Sequence, residues 1–137
     1  MIFKNNILEK AIVCVDDEKS ILSGLEQQLR REFSDGFYLE FAQSGDEAIS
    51  LVKDLRESNI EIPILITDQM MPGMKGSELI EQLESICPET KCVMLTGYAD
   101  SEDMRSLKSR NLLKCFNKPW DNKDFIEFIK VSLVSNQ

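Results

Sequence analysis

Histidine is absent from this 137-residue chain. That absence removes general-base catalysis by imidazole, Ser-His-Asp triads and histidine-built zinc sites. It also means that the chain cannot carry a phosphohistidine, so any phosphoryl chemistry must run on carboxylates, hydroxyls and lysine. Long hydrophobic runs are missing too: no apolar stretch approaches the roughly 20 residues needed to span a bilayer. Residues 1–10 lack the apolar segment and small-residue cleavage site of a signal peptide, so a cytoplasmic location with no membrane partner is expected. Positive charge is scarce: 16 Lys and Arg stand against 24 Asp and Glu, a net charge of −8. Nucleic-acid binding rests on neutralising phosphates with Lys and Arg, so direct binding by this chain is not expected. Glycine is sparse, six residues in all, and falls into neither G-x-x-x-x-G-K-[ST] nor G-x-G-x-x-G, which argues against a nucleotide-binding enzyme. Cys14, Cys87, Cys92 and Cys115 form no C-x-x-C pair, and they read as reduced structural thiols.

What is present is an ordinary globular balance, 42% hydrophobic and 29% charged, in a length suited to one domain. That domain is expected to span 1–137, with about 8–135 as its folded core. Residues 11–15 (AIVCV) form a short apolar run that stops at Asp16 and Asp17, the pattern of a strand buried on both faces. Ile21, Leu22, Leu25, Leu29 and Phe33 recur at helical spacing, which predicts a helix over 20–33 that ends at the Ser-Asp-Gly of 34–36. A second strand is predicted at 37–42. Ser44 and Glu47 have the spacing of a capping box before a second helix with Ala48, Ile49, Val52 and Leu55 on one face. Pro63 precedes a third strand at 64–67 (ILIT), which ends at Asp68. A loop over 69–75 leads to a third helix carrying Leu79, Ile80 and Leu83. A fourth strand at 91–96 (KCVMLT), a weakly amphipathic fourth helix over 100–110, a fifth strand at 112–116 and a closing helix with Phe125, Ile129 and Leu133 complete the alternation. Five alternations of strand and helix predict an α/β fold: a parallel sheet with helices on both faces.

The polar residues gather at one edge of that frame. Asp16 and Asp17 follow the first strand, Asp68 the third, Thr96 ends the fourth and Lys118 follows the fifth. All sit at carboxyl ends of parallel strands, where open α/β sheets bind ligands. With the strand order 2-1-3-4-5, one of the two common orders of doubly wound sheets, strands one and three are neighbours and the three carboxylates meet. Three carboxylates and one ammonium leave a surplus of two negative charges, which a divalent cation would neutralise. Mg²⁺ suits such oxygen donors and keeps coordination positions for a phosphoryl oxygen. A carboxylate held there can attack phosphorus, with Lys118 and the Thr96 hydroxyl offsetting charge on the phosphoryl oxygens.

Four segments carry a family resemblance: V-C-V-D-D-E at 13–18, I-T-D-Q-M-M-P-G-M-K-G at 66–76, L-T-G-Y-A-D at 95–100 and N-K-P-W at 117–120. With these the chain resembles the receiver domains of bacterial two-component response regulators, the chemotaxis-regulator-like family. The resemblance implies a flavodoxin-like (βα)5 fold with sheet order 2-1-3-4-5. It implies that Asp68 is the phosphoacceptor, with Thr96 as the switch hydroxyl and Lys118 pairing with the phosphoryl group. Asp17 resembles the direct Mg²⁺ ligand, Asp16 its acidic partner acting mostly through water, and the main-chain carbonyl of Met70 a further ligand. Pro119 matches the family's proline after the lysine, and Gly76 sits where the family closes the loop before its third helix. The implied partners are a sensor histidine kinase or phosphotransfer protein that donates the phosphoryl group, and an unidentified output domain or protein. A homodimer could form through the face built by the fourth helix, the fifth strand and the closing helix. On this reading the chain is not an enzyme beyond catalysing its own phosphorylation and dephosphorylation.

The pattern departs at one place. Three residues before the lysine, receivers usually carry a Tyr or Phe that moves with the threonine. Here that position is Cys115, and the aromatic Phe116 follows it. Strand side chains alternate faces, so Phe116 is expected to point the other way, into the core; Tyr98 could take over part of the aromatic's role. Trp120 is expected to be a partly exposed anchor at the start of the closing helix, and Met70, Met71 and Met74 to serve packing. Two other functions fit parts of the sequence. One is a Mg²⁺-dependent phosphatase with an aspartyl nucleophile, disfavoured by Met70 where such enzymes place an acid. The other is a receiver-like interaction module that is never phosphorylated.

Overall fold

The computed structural model of the chain describes residues 9–97, 101–102, 104, 107 and 109–135. The apolar runs become the strands β1 (Glu9–Val15), β2 (Tyr38–Ala42), β3 (Ile60–Thr67), β4 (Lys91–Thr96) and β5 (Leu112–Asn117). Between and after them lie the helices α1 (Lys19–Phe33), α2 (Gly45–Glu57), α3 (Gly76–Ile86) and α4 (Asn122–Ser135). Every strand pairing is parallel, and the sheet order is β2-β1-β3-β4-β5. This is the order that the resemblance to receiver domains implied. The helix expected over 100–110 falls largely outside the described residues. Of its two apolar positions, Met104 is buried and Leu107 packs against the same core.

Alternation along the central strands divides the core in two. Ala11, Val13, Val15, Leu65 and Met94 face α2 and α3, packing on Ala48, Val52, Leu79, Ile80 and Leu83. Ile12, Cys14, Ile64, Ile66, Val93 and Leu95 face α1 and α4, packing on Leu25, Leu29, Phe125 and Ile129. A strand covered on both faces needs apolar residues at consecutive positions, which is why β1, β3 and β4 read as unbroken apolar runs. Each such Leu or Ile contributes about 1.5–3 kcal/mol of burial.

Two local details differ from the sequence reading. Pro63 does not delay β3, which already begins at Ile60. The β1–β3 pairing shifts from Lys10↔Glu61 to Ile12↔Ile64, so β3 spends one extra residue there. That bulge accommodates a residue with no N–H to donate. At the start of α2, Ser44 Oγ accepts the Glu47 N–H at 3.1 Å, as a cap should. The return bond runs to Glu47 Oε1 from the Gln43 N–H at 2.5 Å, one residue before the cap.

Candidate functional site

Backbone ladders continue past the strands and place the site. Val15 pairs with Thr67. One residue on, the Asp68 N–H donates to the Val15 carbonyl at 3.1 Å and the Asp16 N–H to the Ala42 carbonyl at 3.1 Å. The two acids therefore stand side by side at the carboxyl ends of β1 and β3. On the far side of β4, the Lys118 N–H donates to the Thr96 carbonyl at 3.0 Å, and the Lys118–Pro119 peptide is cis. From β5 the lysine side chain reaches across the end of β4 to both acids. Its Nζ lies 3.1 Å from Asp16 Oδ2 and 3.2 Å from Asp68 Oδ2.

The remaining carboxylate oxygens are also held. Asp16 Oδ1 accepts the Glu18 N–H at 2.9 Å, a local turn that orients the side chain. Asp68 Oδ1 accepts the Gln69 N–H at 2.7 Å. Asp16 and Asp68 are 2% and 7% exposed, whereas Asp17 faces solvent. Among the described residues these three acids form a group able to hold a metal ion, with ligand oxygens within 4.8 Å of one another. Thr96 is fully buried at the end of β4.

Burial pushes the Asp16 carboxyl above its ordinary value of 3.8. The Glu18 N–H and the Lys118 ammonium pull it down, but the charge of Asp68 adds to the rise, and the net direction is upward. Burial works against the Lys118 ammonium, yet its hydrogen bond to Asp16 and the charges of Asp16 and Asp68 outweigh it and raise its pKa above 10.5. The lysine is thus a fixed positive charge at neutral pH, and it does not balance the acids alone. Hard oxygen donors with a net negative charge fit a divalent cation such as Mg²⁺.

The loop after Asp68 is closed tightly. The Gly76 N–H donates to the Gln69 carbonyl at 2.9 Å. A Cβ on Gly76 would collide with the Asp68 carbonyl oxygen and stand 3.1 Å from Gln69 Cα, so the glycine is demanded by space. The sequence reading gave Gly76 its place but missed Gln69, whose 1%-exposed side chain bonds to Ser77. Met71 is buried and Met74 packs against the same core, while Met70 is 48% exposed. The offset at β5 is as expected: Phe116 packs on Phe125 and Phe128, and half-buried Cys115 lies against the opposite core. Tyr98 lies outside the described residues. Trp120 is half-buried and stacks at a tilt on Phe125. All four thiols are free, and burial raises Cys92 to about 12 and Cys14 further still, which keeps them protonated and inert.

The family model of the response regulator receiver domain matches residues 12–130. The chain belongs to that family. Among solved structures, this receiver domain resembles a CheY-like response regulator receiver domain protein from Methanospirillum hungatei JF-1. The TM-score is 0.80 at 29% identity, covering 93% of this chain and 96% of that one. Among curated proteins it is 28% identical to the hydrogenase transcriptional regulatory protein HoxA of Cupriavidus necator over 89% of this chain and 24% of that protein. It is 23% identical to sporulation initiation phosphotransferase F of Bacillus subtilis, over 90% of this chain and 94% of that protein. The receiver spans about a quarter of HoxA, and 12% to 41% of three other relatives. Receiver domains are the phosphoacceptor switches of two-component systems, and this chain is one of them. No helix among its described residues is long and apolar enough to cross a membrane.

Proposed function

We propose that Asp68 is the residue that accepts the phosphoryl group, that Asp16, Asp17, Asp68 and the Met70 carbonyl hold Mg²⁺, and that Thr96 and Lys118 complete the site. The observation that carries this reading is the Lys118 ammonium set between Asp16 and Asp68 at 3.1 and 3.2 Å, beside the exposed Asp17. The Gln69 N–H fixes one Asp68 oxygen and Lys118 the other. Asp16 is held in the same way by the Glu18 N–H and Lys118, so the choice of Asp68 rests on its place after β3, where the receiver family it resembles has its acceptor. The Asp68 carboxylate forms the new oxygen–phosphorus bond as the bond from phosphorus to the donor's imidazole nitrogen breaks. The donor is a phosphohistidine of a sensor kinase or phosphotransfer protein, as the family resemblance implies; this chain has no histidine to supply one itself. Bound Mg²⁺ would offset charge on the phosphoryl oxygens. Lys118 supplies a fixed positive charge to the same oxygens, and the Thr96 hydroxyl donates to one of them. The acyl phosphate adds charge and acceptor oxygens beside Thr96, biasing the segment after β4 and so signalling to an output domain or partner. Water later cleaves it, and the domain resets in the cytoplasm, where its kinase and output work.

Family membership favours this switch over a turnover phosphatase or an unphosphorylated module. The test is incubation with acetyl phosphate and Mg²⁺, comparing wild type with Asp68→Asn by intact mass. One labile phosphoryl group per chain is expected, absent in the variant and in EDTA. Labelling that survives the substitution would move the acceptor elsewhere.

A further inference from the structure

Helix α3 begins at Gly76, and its cap position is Lys75. An ammonium has no lone pair to offer the first N–H groups of a helix. The N–H groups of Gly76 and Ser77 are served from seven and eight residues upstream, by Gln69. Its main-chain carbonyl accepts the Gly76 N–H at 2.9 Å, and its side-chain Oε1 accepts the Ser77 N–H at 2.7 Å. Its Nε2 donates to Ser77 Oγ at 3.1 Å. The same residue gives its own N–H to Asp68 Oδ1 at 2.7 Å. The side chain is 1% exposed, so these bonds form out of competition with water.

From this arrangement we infer that Gln69 is a positioning residue: a remote cap that couples the start of α3 to the orientation of the Asp68 carboxylate and of the Met70 carbonyl that follows. The inference rests on the metal reading proposed above and deepens it. Residues 70–75 form an excursion whose two ends, 68–69 and 76–77, are fastened by three hydrogen bonds and by the contact that only glycine permits at 76. Met70 lies immediately beyond the clip, and its carbonyl direction depends on the Gln69 backbone being held. Without the amide, the Gln69 backbone and the loop base keep the Gly76 bond but lose the other two of their three bonds to α3. Both oxygen donors of this segment then become free to turn away. Residues that orient metal ligands typically change affinity by 10–100-fold when replaced.

The test is calorimetric titration of the purified protein with Mg²⁺ alone, together with thermal denaturation. Gln69→Met preserves the length and volume of the side chain but removes its acceptor and donors. It is expected to raise the Mg²⁺ Kd by about tenfold. Gln69→Asn keeps an amide but draws it back by one methylene, and is expected to weaken binding in the same sense should the Met variant not fold. Glu78→Ala is the control. It removes the acceptor for the Lys75 N–H at the same helix start, 2.8 Å away, without touching the clip. It is expected to lower Tm while leaving the Kd within about twofold, below the range seen when ligand-orienting residues are lost. A wild-type Kd in both Gln69 variants, or an equal loss in Glu78→Ala, would overturn the positioning role while leaving the metal reading intact. A wild-type chain that takes up no Mg²⁺ would overturn both.

Discussion

At the residue scale the site is an imbalance held in place. Asp16 and Asp68 are buried side by side, one ammonium serves both, and Asp16 is left with its pKa raised by burial and by its acidic neighbour. A carboxylate in that position is held for function at a cost to the metal-free fold. Asp16→Asn keeps an oxygen for the Glu18 N–H and leaves Lys118 with Asp68, while removing one of the opposed charges. In EDTA the variant is therefore expected to melt higher than wild type, by about 2–5 °C. Its Mg²⁺ affinity is expected to fall. Thermal denaturation followed by circular dichroism, with a parallel Mg²⁺ titration, checks both directions; a lower Tm in EDTA would mean that the Lys118 bond outweighs the burial and repulsion. The acids, Thr96 and Lys118 were legible in the sequence because each follows an apolar run, and a buried strand must end where the sheet meets solvent. Gln69 was not, since its partner Ser77 meets it only after the intervening loop has folded. Its single amide carries no periodic signal.

Elements then set how rigidly those residues are presented. The Asp68 loop and α3 meet where Gly76 leaves no room for a Cβ. Gly76→Ala is expected to destabilise the fold by roughly 2–4 kcal/mol, because the obstructing atoms are backbone and cannot rotate away. Gly24→Ala, at an exposed position of α1 with nothing within 4 Å, is expected to stabilise by roughly 0.5–1 kcal/mol. Urea denaturation of the pair distinguishes space from propensity; equal effects would refute the steric argument. At the opposite edge of the sheet, Arg56 of α2 pairs with Glu89 in the turn before β4 and donates to Cys87 Sγ at 3.0 Å. Burial pushes the Glu89 carboxyl up, but the Arg56 guanidinium and neighbouring donors outweigh it and hold it below its ordinary 4.5. A depressed carboxylate stabilises above its unfolded value and loses that contribution as pH falls through its folded one. Both side chains are substantially exposed, so the effect is small: Glu89→Gln is expected to cost about 0.5 kcal/mol at pH 7. The difference should shrink as pH falls below the ordinary 4.5 and vanish once pH lies below the depressed folded value. A gap that does not shrink with acidification would assign the loss to packing. Element identity was legible from periodicity, and the reversal at Cys115 and Phe116 from strand alternation alone. The early start of β3 was not, because Pro63 reads as a boundary until the register with β1 shows the bulge that absorbs it.

For the molecule as a whole, the candidate metal site ties together the two central strands. Asp16 and Asp17 leave β1, Asp68 leaves β3, and the β1–β3 pairing lies at the middle of the sheet. In the unfolded chain Asp68 is far in sequence from Asp16 and Asp17 and the three form no common site, so a cation bound by all three binds the folded state alone. Its effect on stability is then RT ln(1 + [Mg²⁺]/Kd), about 1.4 kcal/mol at ten times Kd. That corresponds to a rise of about 3–6 °C in Tm. Asp17→Ala isolates the coupling, because Asp17 is exposed and its loss leaves the buried Asp16–Lys118–Asp68 contacts in place. The variant is expected to keep the wild-type Tm in EDTA and to lose most of the Mg²⁺-dependent rise, while an equal ionic strength of KCl gives neither protein that rise. A Tm that climbs with Mg²⁺ alike in both would place the ion elsewhere on this acidic surface. A climb confined to wild type ties the cation to the carboxyl edge of the sheet, where opposing charges make the metal-free receiver less stable than its core alone would allow.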